Sequence, residues 1–186
     1  MSDKMFRMSE LKDRFSGQPA AILGGGPSLP SDFERLPKNC VLIAVNYHAF
    51  HIPGVDINFM VYNDQPEEDS ILAEAVRARR AILVSSDPSS DVEFDVPVWT
   101  GFLSSNTAAW FALWMGCNPV ILCGMDCYQG DRVYFHNYNH DCPAFHYPVD
   151  HYTRPWIEEG RNKLPHVERV KAMSGPLTAI FGAYQG

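Results

Sequence analysis

Apolar residues recur along the chain in short unbroken runs separated by mixed-polarity stretches of helical length. Ala20 to Leu23, Val41 to Val45, Ile57 to Tyr62, Ala81 to Ser85, Val120 to Cys123 and Val167 to Ala172 are such runs. Their length and near-continuous apolarity predict strands buried on both faces, as in a parallel sheet covered by helices. EEDSILAEAVRARR, residues 67–80, predicts an amphipathic helix with an acidic start, a basic end and Ile71, Leu72, Ala75 and Val76 on one face. SSNTAAWFALWMG, residues 104–116, predicts a helix buried all round, N-capped by Ser104 or Ser105 and stopped at Gly116. The closing HVERVKAMSGPLTAIFGAY reads as strand, loop and short helix.

Alternation of strand and helix patterns predicts an α/β architecture: one domain over residues 1–186, a mostly parallel sheet and helices on both faces. Residues 127–161 break the pattern. They are aromatic, His-rich and punctuated by proline, and are expected to form a short lid. A length of 186 residues and 46% hydrophobic content suit one globular core. The formal net charge of −7 argues against general affinity for nucleic acid or anionic membrane. No apolar run approaches the roughly 20 residues of a membrane span, and the mixed charges of MSDKMFRMSELKDRF do not form a secretory signal, so a cytoplasmic location is expected. Five cysteines without a C-x-x-C pair are expected as free thiols.

Candidate chemistry begins directly after the first apolar run. In LGGGPSLP, Gly24, Gly25 and Gly26 let backbone N–H groups face an anion. Pro27 suits a first helical turn, and a helix starting near Ser28 adds the positive end of its dipole. A tight β-to-α turn without a ligand accounts for the same residues. No Lys-Ser/Thr follows the glycines, which excludes a Walker loop, and Leu29 stands where a dinucleotide fingerprint has its third glycine. The residue closing the next run is Asn46, whose amide both donates and accepts toward a ribose or base edge.

Taken in order, GGGPSL, LPKNCVLIAVNYHAF, VDINFMVYND and SSNTAAWFALWMGCNPVILCGMDCYQGDRVYF resemble the bacterial sialyltransferases that use CMP-sialic acid on a single Rossmann-like domain with a lid. They also resemble the related archaeal-type 6-hydroxymethylpterin diphosphokinase-like proteins. The first resemblance implies a nucleotide-sugar-dependent transferase that binds CMP or a CMP-sugar and moves the sugar to a hydroxyl of a small molecule or glycan. It implies a nucleotide lined by the glycine loop, Asn46 and Asn63, with Ser104 and Ser105 near the donor sugar and Tyr128 and Tyr134 at the departing phosphate. Tyr147 and His151 match the tyrosine and histidine that supply the general base, with one more residue between them. Asp126 and, in the small-residue turn near the C-terminus, Ser174 are further candidate contacts. No metal or other cofactor is required in this reading. Two departures stand out: Gly25 replaces an asparagine of the family's loop, and Gly101 replaces an arginine before the serine.

The second resemblance implies pyrophosphate transfer from ATP with magnesium, for which Asp64 and Asp126 are the carboxylates at strand ends. A nucleotide-binding protein without catalysis is a third expectation. HNYNHDCPAFHYPVDH gathers His136, His140, Cys142, His146 and His151, but in no standard zinc spacing, so packing and acid/base roles are expected rather than a metal site. The oligomeric state, including a homo-oligomer, is left open by the pattern.

Overall fold

The computed structural model of the protein describes residues 4–128, 132–136 and 152–186. Its strands are β1 (Phe6–Arg7), β2 (Ala20–Leu23), β3 (Val41–Val45), β4 (Phe59–Val61), β5 (Ile82–Val84), β6 (Val92–Glu93), β7 (Val120–Cys123) and β8 (Val170–Ala172). Its α-helices are α1 (Leu29–Glu34), α2 (Ser70–Ala78), α3 (Ser104–Trp114), α4 (Arg161–Lys163) and α5 (Thr178–Phe181).

Six strands form one sheet in the order β5-β4-β3-β2-β7-β8, with every pairing parallel. From β2 the chain steps outward through β3, β4 and β5, then returns and adds β7 and β8 on the other side of β2. The reversal lies between β2 and β7, and loops leaving the carboxyl ends of two such strands diverge to opposite faces and open a crevice. The register runs to the last residues, Leu23 opposite Cys123, so the loops after β2 and β7 begin side by side.

Side chains alternate between faces along each strand. Ala20, Ile22, Val41, Ile43, Phe59, Val61, Val120 and Leu122 join the apolar cluster beneath α3, where Phe111 and Leu113 are buried. Ala21, Leu23, Ala44, Met60, Leu83, Ile121 and Cys123 join the opposite cluster beneath α1 and α2, with Leu29, Leu72 and Val76. Helices therefore cover both faces, as the apolar runs predict. The four described cysteines are free thiols, and burial pushes Cys117 and Cys127 up to about 12.

Differences from expectation have local causes. The run at Val167 opens as a 3-10 turn over Val167–Arg169, and only Val170–Ala172 pair with β7. Helix α1 takes Pro30 rather than Pro27 into its first turn, because Pro27 lies in the turn before the Ser28 N-cap. Leu103, not Ser104 or Ser105, is the N-cap of α3; Ser104 sits inside the helix, where its hydroxyl accepts from the Asn63 N–H at 3.1 Å. The short β1-β6 ribbon has too few residues for an alternating pattern to register. Among the described residues, no helix is long and apolar enough to cross a membrane.

Candidate functional site

The crevice between the ends of β2 and β7 holds a cavity of about 290 Å³. The loop after β2 forms its floor, and the glycines there are packed against protein. A Cβ on Gly24 would lie 2.5 Å from the carbonyl oxygen of Gly124, and one on Gly26 would lie 2.0 Å from Asp126 Oδ2. A Cβ on Gly25 would lie 2.7 Å from the His48 ring and 2.8 Å from the Tyr134 ring. Gly26 donates its N–H to Gly124 at 2.9 Å, and Phe135 donates to Gly25 at 3.0 Å. The loops after β2 and β7 are thereby locked to each other.

Gly24, Gly25, Gly26, Asn46, Ser104, Ser105, Asp126, Tyr128 and Tyr134 all line the cavity, drawn from the ends of β2, β3 and β7 and the start of α3. Pro27, Ser28, Asn63 and Ser174 are not part of the wall. Ser28 donates its N–H and hydroxyl to Asp126 Oδ2, which engages this carboxylate at the start of α1. Asn63 donates to the Gly101 carbonyl at 3.0 Å and to Thr107 Oγ1 at 3.1 Å. Ser174 donates its hydroxyl to Asp32 Oδ2 at 2.8 Å. Tyr147 and His151, with His140, Cys142 and His146, lie outside the described residues, as does most of the expected lid.

The two tyrosines meet: their hydroxyl oxygens are 3.2 Å apart and their rings cross at 89°. Tyr152 packs edge-on against Tyr128 at 4.3 Å. Trp156, buried at the head of a π-helical turn over Trp156–Gly160, and the exposed Phe102 complete this side of the wall. At Gly101 a Cβ would stand 2.6 Å from Asn106 Cβ and 3.0 Å from the Trp99 ring, so no arginine fits there.

His48 was not singled out by the sequence pattern. It follows Asn46 by two residues, in the 3-10 turn His48–His51 after β3, and it lines the cavity. Its ring stacks on Tyr134 at 4.3 Å and 16°, and its Nδ1 lies 2.9 Å from His136 Nε2. His136 stacks in turn on His51 at 3.9 Å. Burial, reinforced by His136 and His51, pulls His48 down to about 3, so its imidazole is neutral at ordinary pH. The signal in the sequence is the pair of histidines in NYHAFH immediately after a strand end.

Three non-glycine residues of the wall hold left-handed backbones: Asn46 at φ 54°, Cys127 at φ 52° and Tyr128 at φ 57°. Such conformations cost about 1–3 kcal/mol each and concentrate at functional sites. Asn46 donates its side-chain N–H to Asp64 Oδ2 at 3.3 Å, while its Oδ1 is buried without a hydrogen-bond partner among the described residues. The described wall carries Asp64 and Asp126 and no lysine or arginine. The N–H groups of Gly24 and Gly26, expected to face an anion, instead donate to the Cys123 and Gly124 carbonyls at the end of β7, so an anion bound here meets hydroxyls and the N-terminal end of α3. The described residues contain no group of three or more His, Cys, Asp or Glu able to hold a metal ion.

No protein-family model and no curated protein matches the chain. Among solved structures it is similar to the sialyltransferase CstII from Campylobacter jejuni in complex with a substrate analogue, cytidine-5'-monophosphate, with a TM-score of 0.59 and 14% identity over 91% of this chain and 86% of that one. CstII in complex with CMP-3FNeuAc aligns with a TM-score of 0.57 and 16% identity, over 89% and 86% of the two chains. The monofunctional alpha-2,3-sialyltransferase Cst-I from Campylobacter jejuni gives a TM-score of 0.57 and 16% identity, over 90% and 80%. At these identities the likeness establishes a shared α/β fold.

Proposed function

We propose that the chain is a nucleotide-sugar-dependent transferase that binds CMP or a CMP-sugar in the crevice between β2 and β7 and transfers the sugar to an acceptor hydroxyl. The observation that carries this reading is the Tyr128–Tyr134 hydroxyl pair, 3.2 Å apart on the wall of a cavity whose floor is the glycine loop. The two phenol hydroxyls, with the N-terminal end of α3 on the same wall, suit a phosphate that gains charge as it leaves, without a lysine or a metal. In the transfer, the bond between the sugar carbon and the phosphate oxygen breaks with its electrons moving to the phosphate. The acceptor oxygen bonds to the same carbon, and its proton passes to a base. His151 takes that last role by its resemblance to the family's histidine.

The fold is that of proteins described with cytidine-5'-monophosphate, and a cavity of about 290 Å³ is of the order that holds a small ligand. Magnesium-ATP chemistry has less support, because the carboxylate of Asp126 is already engaged by Ser28.

Thermal shift with CMP, CDP, ATP and ATP plus magnesium, followed by an assay of CMP-sialic acid turnover, tests the reading. Stabilisation by CMP and release of CMP from the donor are expected. Stabilisation by ATP with magnesium alone overturns it, and CMP binding without donor turnover assigns a binding protein instead.

A further inference from the structure

Three chain segments converge on one point of the cavity wall: the glycine loop after β2, the 3-10 turn after β3 and residues 132–136 after β7. His48 stands at that point. The face of its imidazole lies on Tyr134 at 4.3 Å, and the edges of both rings abut Gly25, where a Cβ would lie 2.7 Å from one and 2.8 Å from the other. On its far side His48 Nδ1 is 2.9 Å from His136 Nε2, and His136 is held flat against His51. Phe135, between Tyr134 and His136, donates its backbone N–H to Gly25. Tyr134 thus has a floor of glycine backbone, a flat ring behind it and, beyond it, the Tyr128 hydroxyl at 3.2 Å.

We propose that His48 is a positioning residue for the transfer reaction, holding the Tyr134 ring, and through it the Tyr128–Tyr134 hydroxyl pair, at the place where the departing phosphate must find them. The inference rests on the reading of the tyrosine pair given above. An imidazole suits the task better than an aliphatic side chain because it offers both a flat face and a ring nitrogen. The face sets the tilt of Tyr134, and the nitrogen fixes the rotation of His48 against His136. The bond forms when one of the two facing nitrogens carries the proton and the other does not, so the tautomers of His48 and His136 are set together. With its charge suppressed by burial, His48 adds no cation next to the phenols.

The experiment is a double-mutant cycle on kcat and KM for CMP-sialic acid turnover, using the full chain. His48→Ala and His48→Leu are each measured alone and combined with Tyr134→Phe. Leucine fills the space without a flat face or ring nitrogen, so it carries the test if the alanine variant does not fold. Either change is expected to lower kcat by about tenfold or more with the donor KM little altered, since displacement of a catalytic group by about 1 Å costs up to ~100-fold. In the Tyr134→Phe background the same change is expected to add almost nothing. Independent, multiplying losses overturn the proposal.

If the wild-type chain turns over no CMP-sugar, the functional reading fails and the positioning inference is decided by a crystal structure of the His48 variant. Displacement of the Tyr134 ring, with the two hydroxyls separated, supports it. A ring that keeps its place within about 0.5 Å overturns it.

Discussion

Asp126 Oδ2 accepts two hydrogen bonds from Ser28, one from its backbone N–H at 3.0 Å and one from its hydroxyl at 2.9 Å. A residue 98 positions away thus satisfies the start of α1, where Ser28 itself makes no side-chain cap. The same carboxylate oxygen lies where a Gly26 side chain would go, so the glycine loop closes around it. Asp126→Ala removes this cap and is expected to cost about 1–2 kcal/mol of stability, read by urea denaturation. Asp126→Asn, which keeps an acceptor oxygen, is expected to lose less.

Asp32 has a fully buried side chain and accepts from the Gly124 N–H at 3.0 Å, from Ser174 at 2.8 Å and from Arg35 at 2.8 Å. It joins α1 to the loops after β7 and β8. Asp32→Ala leaves those donors without their acceptor and is expected to cost about 3 kcal/mol or more, with a lowered melting temperature in calorimetry.

Tyr128→Phe and Tyr134→Phe each remove one hydroxyl and keep the ring. Loss of a donor to a developing oxyanion costs about 100- to 1000-fold in kcat elsewhere, and a drop of that order in donor turnover is expected for each variant. The donor KM is expected to change little. An unchanged kcat would remove the tyrosines from the mechanism.

Much of this was legible in the chain. The runs at Ala20, Val41 and Val120 match β2, β3 and β7 residue for residue, because strands buried on both faces leave an unbroken apolar signature. Gly24 to Gly26 stand out as a loop after an apolar run, and the tyrosine pair is reached only through the resemblance to a known family. Strand order was not: nothing in a one-dimensional pattern says that β7 lies beside β2, so neither the Asp126–Ser28 bond nor the Asp32 hub could be read. Ser174 illustrates the cost. Its place in a small-residue turn suggests a ligand contact, whereas the fold brings Asp32 to it first. His48 escaped notice because its partners, Tyr134 and His136, lie far along the chain.

The buried imidazole of His48 makes stability depend on pH. Its native value, about 3, lies below the ordinary 6.5 because burial and the neighbouring His136 and His51 disfavour the charged form. Below pH 6.5 the unfolded chain therefore binds a proton that the native chain does not, and stability falls as pH falls toward 3. The contribution is about 1.4 kcal/mol per pH unit for one proton. His48→Leu removes it. Between pH 6 and pH 4, about two units, the variant is expected to lose about 2–3 kcal/mol less than the wild type in denaturant titrations.

Gly25→Ala drives a methyl group into the edges of the His48 and Tyr134 rings. Overpacking of this kind costs about 1–3 kcal/mol, and the displaced ring is expected to weaken CMP binding in calorimetry. An alanine variant with wild-type melting temperature and CMP affinity would mean that the two rings yield freely.

The close meeting of Gly24 with the carbonyl of Gly124 has a meaning for how such a site changes over time. Neither loop is free to acquire a side chain at that contact while the other keeps its path. A substitution at position 24 obliges the backbone at 124 to retreat, which drags along Asp126 and with it the start of α1. Positions 24 and 124 are therefore expected to covary as a pair in any collection of sequences sharing this arrangement, and new ligand preferences would arise by exchanging both loops together.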